Sequence, residues 1–144
     1  LQFNVPYGKY KKPNILDKTV LRAVSNYLNQ NDIKILNIDF QEAVENAKKG
    51  DFIYFDPPYD PVSDTASFTG YDVNGFNKEE QKRLKEVFDE LDEKGCKIML
   101  SNSKTKFILG LYSGYRIETV KATRNINSNA FKRGKVDEVL VMNY

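Results

Sequence analysis

Phe52-Ile53-Tyr54-Phe55-Asp56-Pro57-Pro58-Tyr59 runs from four apolar or aromatic residues into an aspartate, two prolines and a tyrosine. Its four leading residues are bulky and too few for a helix, which suits a buried strand. Two prolines then end any ladder, because neither can donate a backbone hydrogen bond. Asp56 is thereby delivered at the carboxyl end of a strand, where open α/β sheets bind their ligands. Pro57 and Pro58 fix φ and stiffen the turn, and the carbonyls of Asp56 and Pro57 stay free to accept hydrogen bonds. Tyr59 adds a flat aromatic face beside those acceptors. Acceptors next to a stacking surface suit a planar ring that carries an amino group. The plainer alternative is an ordinary strand ending in a proline turn.

Upstream, residues 33–38 are an expected strand that runs into Asp39-Phe40. A carboxylate and an aromatic ring at a strand end can hold an adenine, by hydrogen bond and by stacking. Equally, Asp39 can cap a helix ahead of a core Phe40. A short helix over residues 41–48 is expected to close at Gly50, the usual left-handed stop. Earlier still, Asp17 caps a helix over residues 18–29, whose Val20, Leu21, Val24 and Leu28 share one face and are assigned to the core. Residues 1–10 read as extended and turn-punctuated, and Leu1 is not a natural start, so the chain is expected to begin inside a longer protein.

Downstream of Tyr59 a long polar loop runs to Phe76, and loops of that length tend to be functional or disordered. Its aromatics, Phe68, Tyr71 and Phe76, favour function. Asn77 caps a helix over residues 78–94, with Gln81, Leu84, Val87, Phe88 and Leu91 as the buried stripe. Gly95 ends it. Residues 96–100 are the next strand, leading into Ser101-Asn102-Ser103, and residues 104–109 form a short helix. Residues 115–123 and 138–144 alternate as two strands of an antiparallel hairpin, joined by a basic loop over residues 124–135.

A chain of 144 residues, 40% hydrophobic and 29% charged, is globular and amounts to one domain or a piece of one. There is no histidine, which excludes Ser-His-Asp and Cys-His nucleophilic schemes and histidine-based zinc sites; no metal site is expected. The single Cys96 permits no internal disulfide, and no membrane-spanning run or signal peptide is visible. Those features fit a cytoplasmic protein. Net charge is +2, but its distribution is uneven. Residues 1–15 carry Lys9, Lys11 and Lys12 with no acid, and residues 121–135 carry Lys121, Arg124, Lys132, Arg133 and Lys135 with no acid. Two such segments read either as a polyanion-binding face or as solvated loops. Lys9-Tyr10-Lys11-Lys12 interleaves base and aromatic, a pattern useful against phosphates and bases.

Several blocks, taken in order, resemble the Dam/DpnII-type (D12 class, alpha group) adenine-N6 DNA methyltransferases. They are residues 3–11, Asp39-Phe40, Asp56-Pro57-Pro58-Tyr59, the Ser63-x-Thr65-Ala66-x-Phe68-Thr69-x-Tyr71 loop, Ser101-Asn102-Ser103, Arg124-x-Ile126-Asn127-Ser128 and Asp137-Glu138-x-Leu140. The match covers essentially the whole chain but only the later part of the family's sequence. The resemblance implies S-adenosyl-L-methionine as cofactor, with Asp39, Phe40 and Asp56 contacting it. It implies Asp56, Pro57, Pro58 and Tyr59 as the catalytic motif around a flipped adenine in double-stranded DNA. Lys9, Lys11, Lys12, Ser63, Tyr71, Arg124, Asn127, Ser128, Lys132 and Arg133 would lie towards DNA, with a GATC-like target.

On this reading residues 1–15 are the tail of a target-recognition region, and residues 16–144 are the catalytic part of the methyltransferase domain. The amino-terminal cofactor-binding part is absent. The implied fold is α/β: a partial Rossmann-like methyltransferase sheet with a carboxyl-terminal antiparallel hairpin. The chain would supply its third to seventh strands, the seventh antiparallel between the fifth and sixth. The first and second, which separate residues 33–38 from residues 52–55, would come from a companion chain. Competing readings are a non-catalytic DNA-binding fragment and a glutamine-N5 protein methyltransferase. Asn would replace Asp56 in the latter, and Ser would do so in cytosine-N4 enzymes.

Overall fold

The computed structural model describes residues 15–30, 32–62, 75–123 and 135–144. The chain divides into two compact units, Leu1–Asn37 and Ile38–Tyr144.

In the first unit, α1 (Lys18–Leu28) starts where Asp17 accepts the Val20 N–H at 3.0 Å. The cap and the helix agree with the sequence reading. The core assignment of its stripe does not: Val20, Leu21, Val24 and Leu28 are all exposed. Residues 33–38 are likewise no strand, and Ile35 is 74% exposed. A strand exists only where a neighbour takes up its backbone donors and acceptors. Among the described residues nothing pairs with this segment, so its strand-like composition yields only an extended run.

The second unit is a four-stranded sheet with helices. Its strands are β1 (Phe52–Phe55), β2 (Lys97–Ser103), β3 (Arg116–Thr123) and β4 (Lys135–Met142), in the order β1-β2-β4-β3. β1 and β2 are parallel, and β4 runs antiparallel between β2 and β3. This order agrees with the expectation for these four strands. β2 extends three residues further than its apolar run, because Ser101, Asn102 and Ser103 pair with Leu140, Val139 and Glu138.

The helices are α2 (Phe40–Ala43), α3 (Lys78–Glu93) and α4 (Lys106–Leu111). α2 is shorter than expected, ending at Val44 long before Gly50. α3 follows the sequence closely. Asn77 accepts the Glu79 and Glu80 N–H groups at 2.9 and 3.1 Å, and two acids sit in the first turn where the helix dipole favours them. Its buried residues are Gln81, Leu84, Val87, Phe88 and Leu91. It stops at Gly95, whose φ of +78° is readily available to glycine.

Strand pleat divides the sheet into two faces. Ile98, Leu100, Val139 and Val141, with Phe55, enter one core with Leu84, Val87, Phe88 and Leu91 of α3 and Ile108 and Tyr112 by α4. Each fully buried aliphatic or phenyl side chain there contributes about 1.5–3 kcal/mol. Phe52 and Tyr54 point to the opposite face and are 58% and 52% exposed. One face is therefore a packed core and the other is open at β1.

Candidate active site

Asp56 follows the last residue of β1 and is exposed, at the carboxyl end of the parallel β1–β2 pair. Continuing the β1–β2 register by one step brings Asp56 opposite Ser101. The Ser101 hydroxyl donates to Asp56 Oδ1 at 2.6 Å, and the Tyr54 hydroxyl donates to Ser101 Oγ at 3.0 Å. A buried serine thus aims the carboxylate, and a half-exposed tyrosine orients the serine. On the same face the Tyr59 hydroxyl reaches Glu138 Oε2 at 3.4 Å. Partial burial pushes the Tyr59 phenol above its ordinary pKa; the Ser101 hydroxyl opposes this, and the charges of Glu138 and Asp56 add to it. Tyr59 is neutral at physiological pH, a flat ring with a polar tip.

The turn is also tied down on the core face. Gln81 Nε2 of α3 donates to the Pro58 carbonyl at 2.9 Å. Asn102 Nδ2 donates to Gln81 Oε1 at 3.1 Å, and Asn102 Oδ1 accepts the Asp60 N–H at 2.9 Å. Asp60 is buried, and its carboxylate accepts the Thr105 hydroxyl at 2.6 Å. Thr105 in turn caps α4 through the Ile108 N–H at 3.2 Å. Pleat alternation explains the Ser-Asn-Ser run: Ser101 serves the open face and Asn102 the core face, so one strand grips the turn from both sides.

Among the described residues Asp39 makes no hydrogen bond to this network. Asp39 caps α2, accepting the Gln41 N–H at 2.9 Å, and Phe40 packs partly against the core and beside Phe76. The plainer of the two readings of this pair therefore describes its local structure. Arg83 of α3 adds what the sequence did not foretell. Its Nη1 and Nη2 donate to the two Asp39 oxygens at 2.9 and 2.8 Å, and its guanidinium lies 4.0 Å over the Phe40 ring. Hydrogen bonds from Arg83 and then from Gln41 hold the Asp39 carboxyl down at about 2.

Lys9, Lys11, Lys12, Ser63, Tyr71, Arg124, Asn127, Ser128, Lys132 and Arg133 all lie outside the described residues. Tyr54, Gln81, Asp60 and Thr105 carry no expected role at the site, and Ser101 and Asn102 entered only as part of a motif block without a role. Gln81 carried a signal, since a glutamine in an otherwise apolar stripe needs a buried partner. Among the described residues no cluster of acids and cysteine could hold a metal ion, and no helix is long and apolar enough to cross a membrane.

A mixed α/β sheet that presents Asp-Pro-Pro-Tyr at a strand end now has a family. Residues 1–126 match the family model of the D12 class N6 adenine-specific DNA methyltransferases, and the chain belongs to that family. It is 49% identical over 143 residues to a type II methyltransferase of Lactococcus lactis subsp. cremoris, covering 99% of this chain and 50% of the relative. It is 45% identical over 145 residues to a type II methyltransferase of Methanocaldococcus jannaschii, covering 99% and 50%. The DNA adenine methylase of Escherichia coli is 34% identical over 141 residues, covering 98% and 50%. The family expected from the motifs is the family found. The chain spans about half the length of these relatives.

Proposed function

We propose that the protein bearing this chain is an adenine-N6 DNA methyltransferase, with Asp56, Pro57, Pro58 and Tyr59 around the reacting nitrogen. The observation that carries this is the solvent-facing Asp56 carboxylate, aimed by Ser101 at a strand end beside a two-proline turn and Tyr59. Family membership supports it. The N6 lone pair of adenine is delocalised into the ring and is a poor nucleophile. Hydrogen bonds from N6–H to the Asp56 carboxylate and the Pro57 carbonyl favour a more tetrahedral nitrogen, whose lone pair is then available. Tyr59 stacks on the base, and base–aromatic stacking returns about 1–3 kcal/mol of the cost of taking it out of the duplex. Positioning and electrostatics supply most of the rate, which suits a chain without histidine.

S-adenosyl-L-methionine is the proposed donor, and it supplies an electrophilic sulfonium methyl group when bound. Phe40 offers its adenine a stacking face and Asp39 offers acceptor oxygens, and since Arg83 engages both, adenine would take the place of the guanidinium there. Asp56 is the third residue assigned to it. The sheet is read as part of a Rossmann-like methyltransferase sheet, on its order and its antiparallel β4. The open β1 face with exposed Phe52 and Tyr54 favours a companion segment or chain that covers it and completes the cofactor site. Double-stranded DNA, a GATC-like target, the basic contacts from Lys9 to Arg133 and a cytoplasmic location complete the proposal. The division into a recognition-region tail (residues 1–15) and a catalytic part (residues 16–144) belongs to it too.

Asp56→Ala in the whole protein tests it. Methyl transfer with DNA and cofactor saturating should fall at least about 100-fold in kcat, because the carboxylate acts on N6 in the transition state. DNA affinity should stay within a few-fold. An unchanged kcat would refute the assignment.

A further inference from the structure

Tyr59 is held by a device that its own neighbours in sequence do not provide. The Pro58 carbonyl belongs to the peptide before the Tyr59 Cα, and the Asp60 N–H belongs to the peptide after it. Gln81 Nε2 takes the first at 2.9 Å and Asn102 Oδ1 takes the second at 2.9 Å, while the two amides join each other at 3.1 Å. Both peptide planes that define the Tyr59 backbone are therefore fixed to one amide pair. Gln81 and Asn102 are 1% and 0% exposed, and the bond to Asp60 and the bond between the two amides are buried.

The direction of the chain of bonds is forced from both ends. Asn102 Oδ1 accepts two backbone N–H groups, from Asp60 and, at 2.8 Å, from Ser103. Neither can act as an acceptor, so the Asn102 NH2 must face Gln81. Gln81 must then present its oxygen to Asn102 and its NH2 to the Pro58 carbonyl, which cannot donate. A flip of either amide would set acceptor against acceptor and donor against donor.

We propose that Gln81 and Asn102 are positioning residues for the proposed methyl transfer. They act through the backbone to set where the Tyr59 ring stands relative to the Asp56 carboxylate. The inference rests on the proposed function, since the ring and the carboxylate must meet the same base. Asp60 and Thr105 brace the far end, joining the turn to the start of α4 at 2.6 Å. Ser101 fixes the carboxylate from the open face of the sheet and the amide pair fixes the Tyr59 backbone from the core face, so α3 and β2 jointly set the spacing between ring and carboxylate.

The test uses Gln81→Met, which keeps length and removes both bonding groups, and Asn102→Asp, which keeps the acceptor for Asp60 and loses the donor to Gln81. Each is placed in the whole protein. Amide hydrogen exchange at Asp60 should quicken roughly 10-fold in Gln81→Met, with the Leu100 amide unchanged. In both variants kcat should fall about 10- to 100-fold, because small misplacements at a reacting centre are costly. The KM for duplex DNA and the DNA Kd should stay within about twofold. The double variant should lose no more than the worse single one, since the pair acts as one unit. An Asp60 exchange rate unchanged in Gln81→Met, or a kcat within twofold of wild type in both folded variants, overturns the clamp. Should Gln81→Met fail to fold, the shape-matched Asn102→Asp decides by kcat. A wild-type protein that transfers no methyl group to adenine overturns the activity instead, and Asp60 exchange still judges the clamp by itself.

Discussion

Replacing Ser101 with alanine removes one hydroxyl and leaves β2 otherwise intact. That hydroxyl has one proton, and at 2.6 Å it goes to Asp56 Oδ1, leaving the Phe55 carbonyl at 3.5 Å as the weaker alternative. A hydrogen bond to a charged group contributes about 1.5–3 kcal/mol. Asp56 is exposed, so water takes over the vacated lone pair and the ground-state cost drops to about 1 kcal/mol or less. Tyr54 is half exposed and its hydroxyl finds water too. What water does not replace is direction. If the lost orientation costs about 1–1.4 kcal/mol in the transition state, kcat falls about 5- to 10-fold. Methyl incorporation into duplex DNA at saturating substrates should show that loss, with KM for DNA within about twofold and unfolding free energy within about 1 kcal/mol of wild type. Tyr54→Phe, one bond further out, should lose less than threefold, roughly. A kcat within twofold for Ser101→Ala would mean that Ser101 does not orient Asp56. A loss as deep as that of Asp56→Ala would make Ser101 a reacting group and not an orienting one.

Two further perturbations probe the surroundings. Arg83→Ala removes the partner that holds the Asp39 carboxyl at about 2, below its unfolded value of 3.8. A depressed carboxyl stabilises the fold above about pH 4 and loses that contribution as pH falls towards 2. The pair is largely exposed, so the gap between wild type and variant in urea unfolding should be under about 1 kcal/mol at neutral pH and close between pH 4 and 2. A gap that persists at the acid end would assign it to Arg83 stacking on Phe40. Tyr112→Phe removes a buried hydroxyl that has no hydrogen-bond partner among the described residues. The ring and its edge-on contact with Phe88 at 5.4 Å remain, so stability should hold or rise by about 1 kcal/mol. Burial raises the Tyr112 phenol above 10, and the contribution of such a group is lost as pH rises from that value upward. Tyr112→Phe should therefore resist alkaline unfolding better, and an earlier alkaline transition would count against it.

Local patterns explain what was legible in advance. The α3 stripe repeats at helical spacing between Asn77 and Gly95, and all five of its residues are buried. β1 ends where two prolines must end it, and Asp56 follows. The β3–β4 hairpin is visible in alternation, although β4 begins at Lys135, three residues before its clear apolar pattern. Residues 33–38 and the α1 stripe failed for a related reason. Apolar composition states that a segment needs a partner, not that one is there.

The family was legible without the fold, because its motif blocks, Asp-Pro-Pro-Tyr among them, are contiguous runs that occur in order along the chain. How the Asp-Pro-Pro-Tyr turn is held could be seen only in the folded chain. Ser101 and Asn102 look like a polar stretch after a strand, yet the pleat sends one to Asp56 and the other to Gln81. Gln81 meets partners 23 and 21 positions away, and Arg83 finds Asp39 at 44. A hydrogen bond acts over about 3 Å, so its partners are chosen by which strand and helix are neighbours and by which face each residue turns.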